Sequence, residues 1–165
     1  MFYVFHGDDE FSLRRELDAL IVRAGDPALT ELNTTVLDGR TTDLNELIHH
    51  CSTPPFLSER RLVMVYGLLE RLSQGRRSTA DQRFIEQLLA FLPEMPDTTR
   101  LFFLERKQIS ARNPILALAL ERNPHCVKRF TLPNERDLVR WVHKQVHEAG
   151  GEIELKAAQT LCEYV

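Results

Sequence analysis

At 165 residues, with 43% hydrophobic and 27% charged side chains, the chain has the size and composition of one ordinary globular domain, or of one domain with a short piece of another. A formal net charge of −3 argues against a protein that wraps nucleic acid unaided, and no apolar run reaches the length of a helical membrane span. Cys51, Cys126 and Cys162 are scattered without metal spacing, so they read as reduced structural thiols of a soluble cytoplasmic protein. His49-His50-Cys51 is the sole run of three His/Cys residues and lacks a second pair of ligands nearby, so no metal is expected.

The first segment, Met1 to Gly7, has no basic head and reads as a buried strand over Tyr3-Val4-Phe5 rather than a signal peptide. Leu13, Leu17, Leu20 and Ile21 repeat at helical spacing and predict a helix over 10–24, capped by Asp8 or Asp9 and ended by Gly25-Asp26-Pro27. A second strand is expected over 33–37, turning at Asp38-Gly39. Asp43 to Glu46 resembles a capping box for a short helix with Leu44, Leu47 and Ile48 inward.

Thr53-Pro54-Pro55-Phe56-Leu57 interrupts the pattern, and Leu62 to Tyr66 is the clearest strand, apolar throughout as a strand covered on both faces must be. A polar loop over 73–79, carrying Arg76-Arg77, leads to a helix over 80–92 closed by Pro93. Leu101 to Leu104 is a further apolar strand. Pro114 suits the first turn of the helix carrying Ile115, Leu116, Leu118 and Ala119. Cys126 to Phe130 reads as a last, shorter strand. Strand and helix thus alternate about five times, the pattern of an α/β fold with a mostly parallel five-stranded sheet and helices on both faces.

Leu132-Pro133 marks a joint, dividing a domain over 1–132 from a piece over 133–165. There Asn134 caps a helix with Asp137 at its third position. Leu138, Trp141, Val142 and Val146 form its stripe, Gly150-Gly151 stops it, and another helix runs over 154–165. Two helices make a poor domain alone, so this piece is expected to be the start of a longer second domain.

The turn after the first strand, Gly7-Asp8-Asp9-Glu10, is where this fold class often cradles phosphate. It holds one glycine and three successive carboxylates, which repel a triphosphate. No lysine precedes Lys107, so a phosphate-loop lysine is missing. The three acids cap the helix more readily than they bind Mg²⁺, which stays open as an alternative. Glu105, ending the fourth strand beside Arg106 and Lys107, reads as a loop-face ion pair. Neither Ser58 nor Ser12 has the partners of a nucleophile.

Tyr3-Val4-Phe5-His6-Gly7-Asp8-Asp9-Glu10-Phe11-Ser12-Leu13, Val36-Leu37-Asp38-Gly39, Pro54-Pro55-Phe56-Leu57-Ser58-Glu59-Arg60-Arg61-Leu62-Val63, Leu101 to Leu104, Leu138 to Val142 and Ala149 to Ile153 follow one another along the whole chain. In that order they resemble the delta subunit of the bacterial DNA polymerase III clamp loader.

The resemblance implies an AAA+-like fold with a degenerate nucleotide site and the first helices of a helical lid domain. It implies no catalysis by this chain, although it belongs to a DNA-directed DNA polymerase assembly, a nucleotidyltransferase. No cofactor is implied here; ATP is expected on other loader subunits. The implied partners are the sliding clamp (the beta subunit), the delta-prime and tau/gamma subunits, and primed DNA in the assembled complex. The implied setting is the cytoplasmic replisome.

In the family, an apolar knob enters a pocket on the clamp, and its match is Pro55-Phe56 with Leu57 beside it. Many relatives place Leu where this chain has Pro55. Arg60 and Arg61 either fix that loop or meet acidic groups on the clamp, and Arg76-Arg77 either approach DNA phosphates or sit solvated. Phe56 can instead fold back over the preceding helix. Two other functions remain at this stage: an NTPase with an unusual site, and an α/β interaction module unrelated to replication.

Overall fold

The computed structural model describes residues 1–73 and 78–163, so Arg76-Arg77 lie outside the described residues. The chain divides into two compact units, Met1–Phe130 and Thr131–Val165.

The first unit is built on strands β1 (Phe2–Gly7), β2 (Thr34–Asp38), β3 (Arg61–Tyr66), β4 (Thr99–Glu105) and β5 (Val127–Phe130). They form one sheet in the order β2-β3-β4-β1-β5, and every pairing is parallel. Parallel neighbours need crossovers, which the helices supply. These are α1 (Glu10–Val22), α2 (Pro27–Leu32), α3 (Leu44–Ser52), α4 (Leu68–Ser73), α5 (Thr79–Glu94), α6 (Pro114–Arg122) and a single 3₁₀ turn, Pro124–Cys126.

The period of two along each central strand sorts side chains to two cores. Phe2, Val4, Val63, Val65, Leu101 and Phe103 face the core that α3, α4, α5 and α6 cover. Phe5, Leu62, Met64, Phe102 and Leu104 face the core that α1 covers with Leu13 and Leu17. On that second face Tyr3 stacks on Phe102, with ring centroids 4.6 Å apart and the ring planes nearly parallel. The three central strands carry long apolar runs because both faces are covered. The edge strand β2 has one partner, and Val36 on it is exposed. Truncating a fully buried aromatic such as Phe103 costs about 3–5 kcal/mol.

Helix starts follow local capping chemistry. Asp9 Oδ1 accepts from Ser12 N–H at 2.9 Å, Asp43 Oδ1 from Glu46 N–H at 2.8 Å, and Asn113 Oδ1 from Ile115 N–H at 3.0 Å. Three helices depart from the sequence expectation. Gly25-Asp26-Pro27 was expected only to end α1, but Asp26 also starts α2. Its carboxylate accepts from Ala28 N–H at 2.9 Å, and Pro27 occupies the first turn. Helix α4 follows β3 directly, with Leu68, Leu69 and Leu72 buried. Pro93 lies within the last turn of α5 rather than beyond it.

In the second unit, Asn134 Oδ1 accepts from Asp137 N–H at 3.0 Å to start α7 (Glu135–Glu148). Gly150, at φ +79°, turns the chain toward α8 (Leu155–Glu163), which buries Ala158. Among the described residues, no helix is long and apolar enough to cross a membrane.

Candidate functional site

Chain order and spatial order disagree around β1. From β1 the chain crosses to the far edge at β2, and from β4 it passes over β1 to reach β5. The crevice at the carboxyl ends of β1 and β4 is therefore the switch point where α/β sheets hold ligands. The Gly7-to-Glu10 turn lies there.

Its backbone is already committed. The Asp9 N–H points at Phe130 O (3.5 Å), the Glu10 N–H donates to Asp8 O (3.1 Å), and the Leu13 N–H to Asp9 O (3.1 Å). The Ser12 N–H goes to the Asp9 carboxylate. Amides that would wrap a phosphate are spent within the chain. Gly7 sits at φ +135°, packed so closely on β5 that a Cβ would lie 1.7 Å from Phe130 O.

Beside the turn, Glu10 pairs with Arg106 at 3.0 Å. Between α1 and the ends of β3 and β4 lies a cavity of about 320 Å³ rimmed by Glu10, Arg14, Asp18 and Arg106. Its rim alternates in sign, unlike a site for a polyanion. Among the described residues, no group of three or more His, Cys, Asp or Glu side chains could hold a metal ion. Cys51 is buried, and that burial pushes its thiol up to about 12, so it is an inert core residue.

Glu105 was read from sequence as half of a surface ion pair, and the structure corrects this. Its side chain is fully buried, and its two oxygens accept from Leu69 N–H (2.8 Å) and Glu70 N–H (3.0 Å) at the start of α4. The neighbouring cations pair elsewhere, Arg106 with Glu10 and Lys107 with Glu70. The connection is intelligible: a carboxylate at a strand end finds the free amides of a helix that the sequence did not reveal.

At the opposite, amino end of the sheet lies the loop between α3 and β3. Helix α3 closes when the Thr53 N–H and hydroxyl both donate to His49 O, at 3.0 and 2.8 Å. Pro54-Pro55 then forces an extended path. Phe56 follows with 62% of its surface exposed and Leu57 with 74%, and Leu57 has φ +50°. Phe56 therefore does not fold back over α3.

Three side chains fasten this loop from below. Buried Asn33, between α2 and β2, binds the Phe56 main chain: Phe56 N–H donates to Asn33 Oδ1 (2.6 Å) and Asn33 Nδ2–H to Phe56 O (2.8 Å). Arg61 donates from Nε to His50 O (2.8 Å) and from Nη2 to Thr35 Oγ1 (2.9 Å), bringing a cation to the carboxyl end of α3. The Thr99 hydroxyl donates to Cys51 O at 2.7 Å. The Arg60 side chain is exposed.

Of the residues picked out by sequence, Pro55, Phe56, Leu57 and Arg60 thus share one loop surface, whereas the Arg61 guanidinium is turned into the fold. Asn33 and Thr99 escaped sequence reasoning because their partners lie 23 and 48 positions away, and no local pattern marks them.

The family model described as DNA polymerase III, delta subunit matches residues 3–130, which include the sheet, the committed turn and the exposed loop. The chain belongs to the DNA polymerase III delta subunit family. The structure is similar to the DNA clamp loader delta protein of Bacillus subtilis, with a TM-score of 0.75 and 19% identity over 97% of this chain and 47% of that one. At that identity the likeness shows the fold, and the delta-family chain here spans about half the length of that protein. A DNA polymerase III gamma subunit-related protein from Thermotoga maritima aligns more loosely, with a TM-score of 0.46 and 16% identity over 99% of this chain and 53% of that one. No curated protein sequence matches the chain.

Proposed function

We propose that this delta-family chain binds the sliding clamp through the loop before β3 and helps open the ring for loading onto DNA. The observation that carries the reading is the exposure of Phe56 and Leu57 on a Pro-stiffened loop, within the segment that the family model matches. An aromatic held out on an ordered loop is the kind of anchor that dominates interface energy, because little conformational freedom is lost on docking. Pro55 and Arg60 flank the anchor, and Arg61 serves by fixing the loop.

Ring opening is then mechanical. The domain favours the open ring only by the difference in its affinity for the open and closed states. The committed amides and three acids of the Gly7–Glu10 turn favour this reading over that of an NTPase. ATP turnover belongs in this account to the tau/gamma subunits, with delta-prime and primed DNA joining in the full cytoplasmic assembly.

Titration calorimetry of this chain against its cognate clamp tests the reading. Wild type is expected to bind, and Phe56→Ala to bind roughly 30-fold or more weaker, about 2 kcal/mol. A wild-type chain that shows no heat and no co-elution with the clamp overturns it.

A further inference from the structure

Asn33 is buried to 1% exposure, and its side chain makes three hydrogen bonds to two main-chain segments, using both of its donors. Its Nδ2 donates to Leu29 O at 2.7 Å in α2 and to Phe56 O at 2.8 Å, while its Oδ1 accepts from Phe56 N–H at 2.6 Å. The amide orientation follows from these partners, because the opposite one would set Oδ1 against two carbonyl oxygens. To Phe56 the side chain therefore presents a donor and an acceptor as a neighbouring strand would.

The Asn33 backbone is held as firmly: its carbonyl accepts from Leu62 N–H at 2.9 Å, at the first rung between β2 and β3. The residue thus joins the rigid sheet, the end of α2 and the exposed loop at one point. Asp lacks the two donors, Ser and Thr lack the reach, and Gln adds a methylene that displaces the amide.

We infer that Asn33 is a positioning residue for the clamp-binding anchor, holding the Phe56 backbone in its docking geometry before the partner arrives. This rests on the assignment of Phe56 as the anchor. Phe56 exposes its ring while its peptide group is fixed, and Leu57 beyond it is held at φ +50°, a conformation that a free Leu rarely keeps. Preorganisation of this kind strengthens binding by removing the ordering cost from the association step. Freeing one residue's backbone corresponds to about 5- to 30-fold in affinity.

The test is a double-mutant cycle on binding to the sliding clamp, with Asn33→Ala, Phe56→Ala and the pair, each confirmed folded by circular dichroism. The expected result is a large loss with Phe56→Ala, about 5- to 30-fold with Asn33→Ala, and almost no further loss when Asn33→Ala is added to Phe56→Ala. Asn33→Ala binding as wild type while Phe56→Ala binds weakly overturns the positioning role and leaves the anchor intact. Equal losses from Asn33→Ala with and without Phe56 also overturn it, because a general effect on the fold does not depend on the anchor.

Phe56→Ala binding as wild type removes the anchor, and the inference with it. If Asn33→Ala does not fold, Asn33→Asp keeps the acceptor for Phe56 N–H and removes both donors, and the same cycle is run with it. In the wild-type chain, the Phe56 amide should exchange with deuterium roughly tenfold or more slowly than an unprotected amide; free exchange there shows that the loop is not held.

Discussion

Glu105, the last residue of β4, receives the Leu69 amide at 2.8 Å and so joins the sheet to the start of α4. The carboxyl group is fully buried, and that burial raises it from the usual carboxylate range to about 7, against the lowering effect of the Leu69 and Glu70 amides. A group whose folded pKa is raised holds its proton more tightly in the native state. Its contribution to stability is therefore complete below about pH 4.5 and is lost as pH rises through about 7, on the order of 3 kcal/mol in all.

The buried His6 acts in the opposite sense. Burial, with Arg129 nearby, lowers its pKa, so its contribution falls as pH drops below about 6.5. Urea unfolding of wild type and Glu105→Gln between pH 4.5 and 7.5 separates the two. The stability of wild type relative to Glu105→Gln is expected to decline steadily across that range. A constant difference would show that Glu105 does not hold a proton in the folded state.

Gly7→Ala is expected to be among the most damaging single changes in the first unit. The residue lies at φ +135°, and an added Cβ would lie 1.7 Å from Phe130 O and 2.7 Å from its carbonyl carbon, both backbone atoms that cannot swing aside. The turn after β1 must then part from β5, which pairs with β1 alone. A loss of about 3 kcal/mol or more in denaturant midpoint analysis is expected, at the strained end of backbone effects. A loss below about 1 kcal/mol would mean that the turn relaxes freely.

Thr99→Val isolates one of the loop's fastenings. The Thr99 hydroxyl is buried and donates to Cys51 O at 2.7 Å, at the end of α3 just before the exposed loop. Valine keeps the shape and leaves that carbonyl unsatisfied, a cost of about 1–3 kcal/mol. Chemical denaturation measures the loss, which should fall on stability far more than on clamp affinity, since the Phe56 main chain is bonded by Asn33 and the Thr99 hydroxyl by α3.

The central sheet was legible because parallel strands covered on both faces carry apolar runs, and β1, β3 and β4 do so. The edge strands were weaker signals, as Val36 shows by facing solvent. The caps at Asp9, Asp43 and Asn134 were local chemistry and could be read locally. Helix α2 was missed because Asp26-Pro27 serves equally as a stop and as a start, and α4 because six residues are too few to display a period. The exposed loop stood out by its Pro-Pro-Phe-Leu composition. What holds it did not, because Asn33 and Arg61 act on partners that only the folded sheet brings near. Glu105 was misjudged for the same reason: its burial depends on a helix whose Leu69 amide lies 36 positions earlier in the chain.

Leu57 offers a sharper separation of stability from function than any core residue. It holds φ +50° with 74% of its surface exposed, so its side chain supplies little to the fold while its backbone bears a left-handed conformation. Left-handed backbone costs a residue with a Cβ roughly 1–2 kcal/mol, and glycine adopts it freely, though glycine also loses about 0.5–1 kcal/mol more conformational entropy on folding. The two effects nearly offset, so Leu57→Gly should leave stability unchanged to within about 1 kcal/mol, or raise it slightly. Clamp affinity should still fall, because the change removes apolar surface beside the proposed Phe56 anchor and frees the chain that carries it. Thermal melts paired with calorimetry against the clamp read both quantities on one sample. A Leu57→Gly chain that is more stable and binds undiminished would show that the strain at this position serves something other than docking.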